Sequence, residues 1–204
     1  MGQQIISLFS KVVCQNTIDF NLDKIVSKVN EFEFRKAVDR KDSTEASIDK
    51  NVLEHLEFKS LKEELIKYVY DYTHNILKYT YNDFYISGSW LTKSIKGEYS
   101  SLHNHNNCLF SGVLYLQTDE KTGGMIFEKM GEDRLQLKAS EYNLLNSSSH
   151  SFLPKAGLLI MFPSEMYHKI LENNSDLTRI SLAFNVFPRG EIGIETSDSF
   201  LCLV

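Results

Sequence analysis

The rhythm of hydrophobic positions changes near residue 80 of this 204-residue chain. Upstream, apolar side chains recur at spacings of three and four, the mark of helices packed by one face. The spacing predicts a helix over about 22–32, with Ile25, Val26 and Val29 near one face. It predicts a longer one over about 60–79, with Leu61, Leu65, Val69, Ile76 and Leu77 as its apolar stripe. A short apolar stretch, Ile5 to Val13, opens the chain, and the residues that follow MGQQIIS read as a strand. Residues 35–50, RKAVDRKDSTEASIDK, are dense in charge and read as a solvated surface loop.

Beyond Tyr81 the chain turns to short runs rich in β-branched and aromatic residues: NDFYISGSWLTKSI, CLFSGVLYLQ, GGMIFE, GLLIMF, MYHKIL and RISLAFNVF. Each is bounded by Gly, Asn, Asp, Ser or Pro, as strands are. Their density predicts two packed antiparallel sheets or a jelly roll, with the helices covering one face. The chain therefore reads as a single α+β, mainly β domain over 1–204. Residues 1–80 would be mainly helical support, 81–190 the β core and 191–204 a C-terminal segment.

Composition narrows the partners. A net charge of −5 with no basic run argues against nucleic acid. No window holds the roughly 18 apolar residues of a membrane span. The start lacks the charged and cleavable features of a secretory signal. MGQQIIS fits a loose myristoylation pattern, read as chance because the next residues have the look of a strand. Cys14, Cys108 and Cys202 are an odd set without close spacing, which suits a reducing, cytoplasmic setting better than a disulfide scaffold. The apolar C-terminus, SFLCLV, could cover a groove in its own chain or in a neighbour's, which leaves a homodimer open.

Three of the six histidines carry candidate chemistry. His103 and His105, in SLHNHNN, would project to one side of a strand, where both imidazoles can grip one ion. His168, in PSEMYHKI, would join them from another strand. Three protein ligands on one side of an octahedral ion leave three positions open, the arrangement of non-haem iron oxygenases. His55, His74 and His150 read as ordinary surface or packing histidines. Cys108 reads as a small buried side chain, and Ser147 to Ser149 beside His150 as a Ser-rich loop. Arg179 heads an apolar strand in which Ser181, Ala183 and Asn185 share its face. Its guanidinium could snorkel to solvent or grip a carboxylate in a bidentate pair, with the Ser181 hydroxyl as a second donor. Beside a metal the second role gains weight, because a chelating dicarboxylate needs a cation for its far end. Tyr115, in GVLYL, has the parity of His103 and His105 and could offer a phenol to that carboxylate.

As an ordered series, His103-x-His105, SGVLYL, GGMIFE, GLLIMFPSEMYH and RISLAFNVFPRGEIG resemble the 2-oxoglutarate/Fe(II)-dependent oxygenases of marine bacteria and their phages. The resemblance covers roughly Trp90 to Gly193. It implies a double-stranded β-helix (jelly roll, cupin-like) fold. It also implies Fe(II) and the cosubstrate 2-oxoglutarate, with a small molecule or a protein side chain hydroxylated as succinate and CO2 are released. His103 and His168 would match the two histidine ligands, Arg179 the arginine for the distal carboxylate, Ser181 its companion and Tyr115 a tyrosine that shares the task. His105 stands where most of the superfamily has a carboxylate. Three neutral imidazoles would leave the ferrous charge unreduced and favour an anionic cosubstrate. Glu98 or Glu128 could supply the carboxylate instead, or His105 and Asn107 could form the pair with His103 behind them.

Two rival classes remain. Gly97-x5-His103-x-His105 and Gly157-x5-Pro163-x4-His168 fit parts of the cupin motifs, as in three-histidine metal enzymes that use no 2-oxoglutarate. Against it, Leu109 and Phe110 occupy the region of the cupin glutamate, and Glu165 replaces the second motif's internal glycine. A non-enzymatic β-sheet binding module is the other. The substrate pocket would be built by loops 92–102 and 130–155 and by the C-terminal segment.

Overall fold

The computed structural model describes residues 2, 4–131, 135 and 137–203. The N-terminal part holds β1 (Cys14–Thr17), α1 (Leu22–Val26), β2 (Phe34–Lys36), β3 (Glu45–Ser47) and α2 (Lys59–Tyr70). Eight strands then follow: β4 (Asp83–Ser94), β5 (Ser100–His103), β6 (Phe110–Gln117), β7 (Met125–Glu128), β8 (Ser149–Phe152), β9 (Leu158–Pro163), β10 (His168–Ile170) and β11 (Arg179–Ile192). The short β12 (Leu201–Leu203) closes a hairpin against the end of β11.

The eight strands form two sheets. In the large one β9, β6, β11 and β4 are neighbours in that order, extended by β1 beyond β9 and by β3 and β2 beyond β4. The small one runs β5, β10, β7, β8. Following the chain from β4 to β11, strands pass between the two sheets, and every pairing is antiparallel. This is the double-stranded β-helix, mainly β as the sequence predicts.

Alternation along the strands builds two cores. On one face of the large sheet, Ile180, Leu182, Phe184 and Val186 of β11 pack with Leu61, Leu65 and Val69 of α2. On the other face, Ala183 joins Val113, Tyr115, Ile160 and Phe162 between the sheets, with Met125 and Phe127 from the small one. Gly112 permits this packing, since a Cβ there would lie 2.2 Å from the Phe184 ring.

The N-terminal part departs from expectation. The helix over 22–32 stops at Val26 and resumes only as a 3-10 turn over Val29–Glu31. The helix over 60–79 is α2, continued by a π-helical stretch over Asp71–Ile76. There Tyr72, fully buried, donates to the Val12 carbonyl at 2.7 Å. Ile5 to Val13 is not a strand; pairing with β9 begins at Cys14. The charged segment 35–50 is no solvated loop, because it contributes to β2 and all of β3, which widen the large sheet. Its charge hid a period of two. Lys36 and Glu45 lie opposite each other and pair at 3.5 Å, while Ala46 turns inward. The region expected to be helical support thus carries three strands as well.

Candidate metal centre

His103, His105 and His168 come together between the sheets. Each offers one ring nitrogen, and the three nitrogens lie within 4.8 Å of one another. Ring centres are 4.4 Å apart for His103 and His168, 5.1 Å for His105 and His168, and 5.4 Å for His103 and His105. His168 opens β10 directly opposite His103, the last residue of β5. His105 lies beyond the end of β5, not on it, and its backbone N–H donates to the Ser164 carbonyl at 2.9 Å.

Each ring is held through Nδ1, which leaves Nε2 as the nitrogen available to a shared ion. His103 Nδ1 lies 2.7 Å from the Ser101 carbonyl, and His168 Nδ1 lies 3.0 Å from that of Met166. His105 Nδ1 meets side chains instead, Ser111 Oγ at 2.8 Å and Asn185 Oδ1 at 3.0 Å. Ser111 donates to the same Asn185 oxygen at 3.0 Å and bonds Ser164 Oγ at 2.8 Å. The Cys108 thiol donates to Ser164 Oγ at 3.1 Å. Burial, reinforced by the His103 ring, pushes His168 down to about 3 and His105 to about 4. Both are therefore neutral near pH 7, the form that ligates metals.

Neither alternative carboxylate stands beside the imidazoles. Glu98 pairs with Lys36 and accepts from the Ile95 amide at 3.0 Å; Glu128 pairs with Lys169. Among the described residues the cluster is three histidines alone.

A cavity of about 120 Å³ runs from these rings to the far end of the large sheet, where Tyr115, Ser181 and Arg179 line it. Tyr115 faces the histidines because its sheet faces theirs; strand parity between β5 and β6 does not bear on it. Arg179 is 3% exposed. Its Nη1 donates to the carbonyls of Thr122 (2.6 Å), Gly123 (3.2 Å) and Leu171 (3.2 Å), and its Nη2 to Ser94 Oγ (2.7 Å). It does not snorkel to solvent, and it has no carboxylate partner among the described residues. Gly123 makes this cage possible, with φ +78° and no room for a Cβ, which would lie 2.3 Å from the Leu171 carbonyl oxygen.

The Tyr115 hydroxyl is buried with no hydrogen-bond partner. Burial pushes Tyr115 up to about 12, against the opposing pull of the Arg179 charge and, less, of the Met125 amide. Ser181 is held by Thr92, whose Oγ1 lies 2.6 Å from Ser181 Oγ. A buried cation without an anion and a buried hydroxyl without a partner, side by side, fit the far carboxylate of a dicarboxylate chelated at the other end.

Sequence reasoning missed several parts of this site. Thr92 and Trp90, in GSWLTKS, line the cavity, and the Trp90 ring meets His105 at 5.6 Å between centres. Alternation along β4 could have found both. Ala37, Thr44 and Ala46 form a wall that the charged segment concealed. Of the loops expected to build the pocket, Thr92 and Ser100 line this cavity. No described residue of 130–155 or of the C-terminal segment does. Glu132, Asp133, Arg134 and Gln136 lie outside the described residues.

Residues 88–185 match the family model described as "Putative 2OG-Fe(II) oxygenase". No curated protein matches the chain by sequence. Solved structures do match in fold. A prolyl-4-hydroxylase from Pseudomonas putida aligns at TM-score 0.60 and 18% identity, over 90% of this chain and 96% of its own. HygX from Streptomyces hygroscopicus, solved with nickel, 2-oxoglutarate and hygromycin B, aligns at 0.62 and 12%, over 91% and 88%. The non-haem α-ketoglutarate-dependent carbocyclase SnoK from nogalamycin biosynthesis aligns at 0.67 and 11%, over 89% and 81%. The matched stretch contains all three histidines, Tyr115, Arg179 and Ser181. Residues 88–185 of this chain are thus similar to a 2OG-Fe(II) oxygenase domain.

Proposed function

We propose that the protein is an Fe(II)- and 2-oxoglutarate-dependent dioxygenase in which His103, His105 and His168 hold the metal, and Arg179, Ser181 and Tyr115 hold the far carboxylate of the cosubstrate. The observation that carries this reading is Arg179. A guanidinium buried at the end of a cavity, without a counter-ion, is costly unless an anion joins it. When bound, the iron and 2-oxoglutarate would use dioxygen to hydroxylate a substrate, with succinate and CO2 released.

The chain's own residues do the positioning. The carbonyls of Thr122, Gly123 and Leu171 fix the plane of the Arg179 fork. Thr92 sets the Ser181 hydroxyl beside it, and Tyr115 Oη closes the group with a free O–H. Phe127 and Phe162 pack against the His168 ring, and Trp90 and Phe162 against that of His105. The structural neighbours give the same direction, since HygX is solved with 2-oxoglutarate and a divalent metal. The missing carboxylate ligand argues for a metal that retains its full charge, which the cosubstrate's anion then offsets.

The test is anaerobic. Iron(II) and then 2-oxoglutarate are titrated into metal-free protein while the weak visible charge-transfer band of the chelated keto acid is watched. The band should appear only with both, vanish in His168→Ala, and need at least about ten-fold more 2-oxoglutarate in Arg179→Lys, which keeps the charge but loses the fork. Iron binding without a band would favour a three-histidine enzyme that uses no 2-oxoglutarate. No iron binding would leave a β-sheet binding module.

A further inference from the structure

A pair of cations, Arg35 and Lys50, stands beside residues that line the cavity, remote from Arg179. One rung of hydrogen-bonded partners crosses five strands: Arg35 opposite Ala46, Ala46 opposite Thr92, Thr92 opposite Ser181, and Ser181 opposite Tyr115. Residues opposite one another across antiparallel strands share a face. Ala46, Thr92, Ser181 and Tyr115 line the cavity, as does Ala37, two residues beyond Arg35. Arg35 therefore projects from the cavity face, at the outer edge of the sheet, where it is exposed.

Lys50 reaches the same place from the other side. Its Nζ lies 5.9 Å from the centre of the Trp90 ring, which lines the cavity and meets His105. It donates to the Ser47 carbonyl at 2.6 Å. Burial pushes its ammonium below the usual lysine range, and the nearby Arg35 charge pushes it further. Neither cation forms an ion pair with a described residue. Asp49 offsets Lys50 in part, but both its oxygens are occupied, one by the Asn51 amide at 2.7 Å and the other by His55 Nε2 at 2.5 Å. Two cations without an ion-pair partner among the described residues thus stand together beside the cavity of a chain whose net charge is −5.

We propose that Arg35 and Lys50 grip a carboxylate or phosphate group on the molecule this site oxidises, so that the substrate is an anion whose uncharged end passes Trp90 toward the three histidines. The guanidinium supplies a planar fork and the ammonium a point charge, a pairing suited to either oxyanion. Arg179 lies too deep to serve, and its place belongs to the cosubstrate. The proposal rests on the oxygenase reading above and adds the chemistry of the second substrate.

Trp90 is the only tryptophan in the chain, so the tryptophan emission reports the stretch of cavity between Lys50 and His105. The 204-residue protein, saturated with zinc(II) and 2-oxoglutarate to occupy the inner cation, is titrated with hexyl phosphate, hexanoate and the neutral hexanol. One or both anions should shift the Trp90 emission saturably and bind at least about ten-fold more tightly than hexanol, the worth of one charge-assisted contact. Whichever anion binds more tightly identifies the group. Arg35→Ala/Lys50→Ala, two exposed changes, should weaken the anions at least about ten-fold, leave hexanol unchanged and leave 2-oxoglutarate binding by calorimetry unchanged. Equal binding of hexanol and the anions, or undiminished anion binding by the double variant, overturns the proposal alone. Absence of 2-oxoglutarate binding to the wild type overturns it together with the oxygenase reading.

Discussion

Tyr115→Phe isolates one atom. The hydroxyl it removes is buried, lacks a partner, and sits on a side chain 1% exposed. An unsatisfied buried hydroxyl costs roughly 1–3 kcal/mol, and phenylalanine fills the same space without it. The metal-free variant should therefore be more stable than the wild type. At about 2–4 °C per kcal/mol for a chain of this size, a gain at the lower end raises Tm by about 2–4 °C. The same atom should matter in the opposite sense once 2-oxoglutarate is present. A hydrogen bond to a charged oxygen contributes roughly 1.5–3 kcal/mol, so its loss should weaken the cosubstrate about ten- to 100-fold. Scanning calorimetry on the metal-free pair gives the first number, and titration of 2-oxoglutarate into the zinc-loaded pair gives the second. A structural tyrosine would lose stability on this change and leave cosubstrate affinity untouched; that pair of results would refute the assignment.

Two further substitutions probe the supports. Asn185→Leu removes the side-chain acceptor of His105 and should cost about 10–100-fold in metal affinity, measured by competition with a fluorescent chelator. Asn185→Asp keeps the acceptor and should retain tight binding, whereas an unchanged Kd in Asn185→Leu would show that the network does not position the ring. Gly123→Ala forces a Cβ against the Leu171 carbonyl and shifts the cage around Arg179. It should lower Tm and raise the Kd for 2-oxoglutarate about ten-fold with metal affinity kept; calorimetric titration checks both, and loss of metal binding in step with the cosubstrate would count against the division of roles.

The β core was legible because its chemistry follows period two. On β11 the alternation of Arg179, Ser181, Ala183 and Asn185 with Ile180, Leu182 and Phe184 separates cavity from core, as the sequence predicts. The histidines were legible as a set because HxH and a distant third histidine share one chemical purpose. Other features depend on contacts that no local pattern records. The Arg179 cage is made of backbone carbonyls from Thr122, Gly123 and Leu171, which any residue could supply. Asn185 was visible on the right face, but its bond to His105 spans 80 positions of sequence. Strands β2 and β3 are three residues each, too short for periodicity to outweigh their charge. The helix expected over 22–32 broke at Ser27 because α1 gives way to a 3-10 turn, a choice made by packing.

The annexed strands β2 and β3 divide labour along the chain. Every imidazole of the centre, and every group proposed to face the far carboxylate, lies within 88–185, whereas Ala37, Thr44 and Ala46 come from before residue 50. One stretch carries the residues proposed for the oxidation, and another, joined along the margin of β4 and to Glu98 and Tyr99, walls the cavity. Such an arrangement is evolvable. Sequence drift in 34–50 can remodel that wall while the rungs that aim the histidines stay intact, so chains sharing the central stretch are free to diverge in selectivity without surrendering their reaction.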